Sequence, residues 1–106
     1  MGQDKRVLIA GGGPVGLFAA LLLGRAGVPV RVFDANPCLQ DDMRAATTHP
    51  ATLDVLDRVP GLVEDMAHAG LVTRTFQFWD RPTNTMVAEF DHAVLKDDTR
   101  HPVVIQ

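Results

Sequence analysis

The residues with the most chemical content stand near the start of the chain. Gly11, Gly13 and Gly16 form a G-x-G-x-x-G pattern within Gly11-Gly12-Gly13-Pro14-Val15-Gly16, and Asp34 follows 18 positions after Gly16. Each glycine has a physical reason in a turn that holds a dinucleotide. Gly11 lets the chain turn sharply off a strand, Gly13 lets the backbone approach a pyrophosphate, and Gly16 lets a helix pack close to that strand. Pro14 and Val15 then open the helix, whose first N–H groups and partial positive charge favour phosphates. A carboxylate at Asp34 accepts hydrogen bonds from a ribose diol and repels a 2′-phosphate, so NADP at this turn is disfavoured. The bland alternative is a glycine-rich turn with a surface aspartate. The pattern reads the ADP half shared by FAD and NAD, and by itself it does not separate the two.

Such a turn works only between a strand and a helix, with a second strand to bring the acid back. Arg6 to Ala10 is a short apolar run with β-branched Val7 and Ile9, predicted to be a buried strand. Leu17 to Ala26 is rich in Ala and Leu and reads as a helix, with Pro14 tolerated at its very start and Gly27 as its stop. Val28 to Phe33 is predicted to be a second buried strand, so the three elements make a parallel crossover unit. Ala35 to Met43 reads as a polar loop. A helix is expected from about Pro50 to Val59, with Leu53, Val55 or Leu56, and Val59 facing inward, and another over Leu62 to Ala69. Thr73 to Asp80 alternates like a strand, Arg81 to Thr85 has turn chemistry, and Met86 to Phe90 is placed as the partner strand. Asp91 to Pro102 is polar and irregular, and Val103 to Ile105 begins another β-like run.

The bulk properties narrow the function classes. At 106 residues the chain amounts to one small domain at most, and 46% apolar content is that of a globular protein. A net charge of -3 with no basic block gives no reason to expect nucleic acid or an anionic membrane as partner. Val7 to Gly24 is 18 residues without a charge, but its glycines and Pro14 split it into halves too short to cross a bilayer. No signal peptide is expected, because the basic start runs into glycines. Cys38 is the only cysteine, which suits a reducing compartment, and a cytoplasmic location is the expectation. One β–α–β unit does not bury both faces of its sheet, so the sequence reads as the front part of a larger fold with an edge open to self-association.

Beyond the turn the sequence resembles a family. Gly11-Gly12-Gly13-Pro14-Val15-Gly16-Leu17, the acidic Asp34, Arg44-Ala45 and Pro50-Ala51-Thr52-Leu53-Asp54-Val55-Leu56 are similar to the start of the class A flavoprotein monooxygenases, the aromatic hydroxylases of para-hydroxybenzoate and phenol hydroxylase type. The resemblance implies an α/β fold: an incomplete, Rossmann-like β–α–β FAD-binding unit from a two-domain flavoprotein. Residues 1–70 correspond to the FAD domain, and residues 71–106 to the first strands of the substrate domain with a return toward the FAD domain. FAD is the implied cofactor, with NAD(P)H as reductant and a small phenolic compound as substrate of the whole enzyme. Arg44 matches an arginine near the FAD pyrophosphate, a position where a guanidinium clamps phosphate oxygens, with a solvated surface arginine as the alternative. Gln106 matches a glutamine that touches the cofactor. The catalytic residues are not identified, and the family's later cofactor motifs lie downstream of residue 106. The family usually has Glu where this chain has Asp34, often followed by Arg where it has Ala35.

The remaining candidates read as structural. His49, His68, His92 and His101 have neither i, i+4 spacing nor a neighbouring cysteine, so no metal site is expected. A general-base role for His49 is conceivable, and His68 fits the exposed face of a short helix. Asp41-Asp42 and Asp97-Asp98 read as solvated loop charges. Phe76 and Phe78 alternate as core residues do, with Trp79 on the other face; a stacking platform is the alternative. Besides a hydroxylase segment, the sequence leaves open an NAD-dependent dehydrogenase module and a non-catalytic, self-associating fragment.

Overall fold

The computed structural model describes residues 5–38 and 45–106. The chain divides into two compact units, residues 1–42 and 43–106, and each has its own logic.

In the first unit β1 (Val7–Ala10) and β2 (Val30–Phe33) pair in parallel, Val7 opposite Val30 and Ala10 opposite Phe33. Parallel neighbours need a crossover, which α1 (Pro14–Arg25) provides. The ladder runs one bond past each strand, from Val7 N–H to Pro29 (2.9 Å) and from Gly11 N–H to Phe33 (2.7 Å). Pro14 stands in the first turn of α1 and Arg25 in its last, both where the backbone geometry and helix dipole favour them. The predicted β–α–β order is correct; the burial predicted for its strands is not. None of the described residues of this unit is buried, and Leu8 is 66% exposed. The reason is geometric, since one helix covers only part of one face of a two-stranded sheet.

The second unit holds the core. It contains α2 (Pro50–Leu56), α3 (Leu62–Ala69), β3 (Val72–Thr73), β4 (Thr75–Asp80), β5 (Thr85–Asp91) and β6 (Val104–Ile105). Leu53, Val63 and Ile105 are buried together, with Leu56, Met66, Ala67 and Val103 packed around them. β6 lies antiparallel to β3, Val72 opposite Ile105, and bridges to Thr48 on its other side. Its approach is tied to α2, because Arg100 N–H donates to Asp54 Oδ1 (3.2 Å) and the Arg100 guanidinium lies 3.1 Å from Asp57.

Several expectations need correction here. The predicted strand over Thr73 to Asp80 breaks at Arg74, so that β3 joins β6 while β4 joins β5. The helix from Pro50 ends at Leu56; Leu56 and Val59 turn inward and Val55 is exposed. Within the supposedly irregular segment after Asp91, His92–Leu95 form a 3-10 turn capped by Asp91 Oδ1, which accepts from Ala93 N–H (2.8 Å). Phe76 and Phe78 are not core residues: each is 51% exposed on the β4–β5 hairpin. Instead Phe78 packs edge-on against both Phe76 and Phe90, with ring centroids 5.0 and 6.0 Å apart. Trp79 lies on the other face, after a register shift between Phe78 and Trp79, and its indole N–H donates to Gln77 (3.1 Å).

Leu53 is fully buried, so Leu53→Ala removes packing that its neighbours cannot replace. Urea unfolding of this variant is expected to show a loss of about 2–5 kcal/mol. A loss under about 1 kcal/mol would place the centre of the core elsewhere.

Candidate functional site

The glycine turn joins β1 to α1, and its glycines are required for different reasons. Gly11 has φ +107°, a backbone conformation that strains any other residue. Gly16 is a matter of space. A Cβ there would run into the carbonyl oxygen of Gly11, far inside any real carbon–oxygen contact, and would lie 3.3 Å from Ile9 Cγ2. Above Gly13 the space is open, with nothing within 4 Å of a Cβ built there. Thus one glycine seats the helix against the strand and another leaves a bare backbone facing outward. Leu17 N–H is bonded back to Gly13 (2.9 Å), and Pro14 has no N–H to offer. The N–H groups of Val15 and Gly16 lack an acceptor one turn earlier, as at every helix start. No acidic residue stands in this first turn, and Val15 is 85% exposed.

Asp34 follows directly on β2 and reaches back across the sheet end to the turn. Its Oδ2 accepts from Gly12 N–H at 2.6 Å. Its Oδ1 accepts from the Asn36 backbone N–H (2.8 Å) and from the Asn36 side-chain amide (3.1 Å). These donors favour the ionised form, the Asn36 backbone N–H first and then Gly12 N–H, and hold the Asp34 carboxyl below its ordinary value. A carboxylate has about four acceptor positions, so room is left for about one further donor.

The structure brings Gly11, Gly13, Pro14, Val15, Gly16 and Asp34 together in the first unit. Arg44 lies outside the described residues. Gln106 belongs to the second unit, where its backbone exchanges hydrogen bonds with Leu71 (2.8 and 2.9 Å). His49 directly precedes α2 without a capping side-chain bond and is exposed, and His68 is exposed on α3. Among the described residues no three of His, Cys, Asp and Glu gather as a metal site would need. No helix among them is long and apolar enough to cross a membrane. Sequence reasoning missed Gly12 and Asn36. The signal for Asn36 was available, since an aspartate commonly bonds the backbone N–H two residues on. Gly12 was hidden at a position the glycine pattern leaves free. A Cβ on Gly12 would sit 3.1 Å from Asp34 Oδ2, so the acid itself calls for a small residue there.

Residues 4–104 match the family model of the FAD binding domain. The chain belongs to that FAD-binding family. It is 36% identical over 99 residues to para-nitrophenol 4-monooxygenase of Pseudomonas sp. (strain WBC-3), covering 93% of this chain and 24% of that protein. It is also 36% identical over 105 residues to 6-hydroxy-3-succinoylpyridine 3-monooxygenase of Pseudomonas putida (strain DSM 28022 / S16), covering 99% and 26%. The crystal structure of p-nitrophenol 4-monooxygenase from Pseudomonas putida DLL-E4 superimposes with a TM-score of 0.82 at 34% identity, over 95% of this chain and 26% of that one. The FAD-binding chain therefore spans about a quarter of the length of the relatives it matches.

The residues present fit FAD. An open backbone at Gly13, a helix start free of acidic side chains and an ionised Asp34 at the strand end match a diphosphate and a ribose in order.

Two outcomes are expected. Gly16→Ala forces α1 away from Gly11, and a thermal or urea melt should show a loss of about 1–3 kcal/mol in the first unit; an unchanged melt would mean the helix shifts without cost. The folded pKa of Asp34 is depressed, so its bond to Gly12 persists from neutral pH down through the ordinary carboxylate range and is lost as pH falls through the depressed value. The Gly12 amide resonance, followed by NMR during acid titration, should move only below the ordinary aspartate value.

Proposed function

We propose that this chain is the N-terminal FAD-binding segment of a flavin-dependent monooxygenase that hydroxylates a small phenolic substrate with NAD(P)H and dioxygen. The observation that carries this reading is the turn at Gly11 to Gly16, with Asp34 bonded to it, in a chain whose relatives are monooxygenases of aromatic rings. FAD supplies the redox chemistry when bound; the part of this chain is to hold it. The N–H groups at Gly13, Val15 and Gly16 hold the diphosphate, and Pro14 fixes the helix start that aims them. Asp34 takes one ribose hydroxyl with its remaining acceptor capacity, and Asn36 keeps that carboxylate from swinging away. Arg44 clamps phosphate oxygens and Gln106 contributes near the flavin, as in the family the chain resembles. On this reading residues 1–70 serve the FAD domain, and residues 71–106 start the substrate domain and return toward the FAD domain. An NAD-dependent dehydrogenase module, which the glycine turn alone permits, has no comparable support from the relatives.

The test is fluorescence titration of the chain with FAD. FAD emission should change on binding, ADP should compete, and FMN, which lacks the ADP half, should not. Asp34→Ala should weaken FAD binding about tenfold or more, since it removes a charged acceptor. Asn36→Ala should weaken it less, by about two- to fivefold, because it only frees the carboxylate to move. Tighter binding of NADH than of FAD would overturn the reading.

A further inference from the structure

Two glycines among the described residues stand where an added Cβ would collide with backbone: Gly16, at the dinucleotide turn, and Gly70, directly after α3. At Gly70 that Cβ would lie 2.5 Å from the carbonyl oxygen of Gln106 and 2.9 Å from Ile105 Cγ2. Backbone conformation is not what keeps this glycine. Gly70 has φ -113° and ψ -171°, extended geometry open to any residue, whereas Gly27 and Gly61 have positive φ and open space around them. Gly70 is needed for space alone, so that the end of α3 can pass close to the end of β6.

What that approach holds is Gln106. Leu71, the residue after Gly70, donates its N–H to the Gln106 carbonyl (2.8 Å) and accepts from the Gln106 N–H (2.9 Å). One residue earlier, Ile105 exchanges bonds of 2.8 and 3.1 Å with Thr48 on the other side of the strand. The end of β6 is thus clamped between two segments, and the clamp closes on the α3 side only if position 70 has no side chain. A cavity of about 290 Å³ lies beside it, with Ala45, Thr48, Ala69, Gly70 and Gln106 in its lining. Ala45 directly follows Arg44, so the strand end bearing Gln106 borders the same space as the segment that leaves Arg44.

We propose that Gly70 is a positioning residue for Gln106: its missing side chain sets the place of the Gln106 backbone, and through it the reach of the Gln106 side chain toward the flavin end of FAD. The inference rests on the flavin reading above, which it deepens by naming what aims Gln106 at the cofactor. A methyl group at position 70 meets a backbone carbonyl and not the end of a flexible side chain. It is relieved only by moving Gln106 or Leu71 and straining the bonds they exchange. The ADP half, read by the glycine turn and Asp34, is left alone.

The test is a double-variant cycle on the 106-residue chain, with FAD affinity from fluorescence titration and ADP affinity from competition. Gln106→Ala is expected to weaken FAD about two- to tenfold, the worth of one hydrogen bond, and to leave ADP unchanged. Gly70→Ala should do the same, and combining it with Gln106→Ala should add no loss beyond about twofold. A substitution that only loosens the fold would instead multiply with Gln106→Ala or weaken ADP as well. Independent losses, weakened ADP, or no effect of either single variant on FAD would overturn the proposal alone, because FAD is still bound. Should Gly70→Ala fail to fold, hydrogen exchange of the unaltered chain decides. FAD should slow exchange of the Leu71 and Gln106 amides, and slowing confined to the turn at residues 11–16 overturns the proposal. No FAD binding by the unaltered chain overturns the flavin reading itself, and the proposal with it.

Discussion

The carbonyl oxygen of Gly11 occupies the space that a side chain at position 16 would need. That close approach of helix to strand governs the first unit. It fixes where α1 begins relative to β1, and so where its first-turn N–H groups point. It also leaves Gly11 with a positive φ, because the chain has to reverse within a few residues to bring Gly16 back over it. The crossover then returns β2 beside β1, and the Gly11 N–H bond to Phe33 carries the ladder to the edge of the turn. Asp34, the next residue, can only be where it is because that ladder holds. The open backbone of the turn and the placement of the Asp34 carboxylate are thus two consequences of one steric contact.

Much of this was legible in the sequence, because its causes are local. A glycine pattern between an apolar run and an Ala–Leu-rich helix carries its own geometry, and Asp34 follows at the length of one crossover. The helix over Leu62–Ala69 was read to the residue, framed by Pro60-Gly61 and Gly70. What escaped depends on partners remote in sequence. Nothing near Arg74 announces that Val72–Thr73 pairs with β6 while Thr75 onward pairs with β5. Alternation at Phe76 and Phe78 correctly told that they share a face, but period-two patterning is silent about what covers that face. The same limit applies to β1 and β2: an apolar run predicts burial, yet none of their residues is buried.

Burial is distributed unevenly, and this bears on what the chain is for. Pro50, Leu53, Val59, Val63, Val104 and Ile105 are the buried residues among those described, and all belong to the second unit. The first unit has the chemical motif without a core of its own. Its helix is apolar on every side, with Leu17 and Leu21 exposed at 44% and 41%, a pattern usual for helices covered all round. The relatives are about four times as long as the stretch they share with this chain.

The departure at position 34 shows how the turn and the acid are matched. The family the chain resembles usually has glutamate there. Aspartate is shorter by one methylene, and here the short arm keeps the carboxylate within 2.6 Å of Gly12 N–H, at the turn itself. A shorter acid has less reach toward a ribose but becomes part of the turn's own hydrogen bonding. The third glycine at position 12 and the amide of Asn36 then make sense together. One gives the carboxylate room, the other fixes its second oxygen, and both hold it ionised. Asp34, Gly12 and Asn36 thus form one hydrogen-bonded unit, and the last two lie outside the glycine pattern because that pattern describes the phosphate and not the acid.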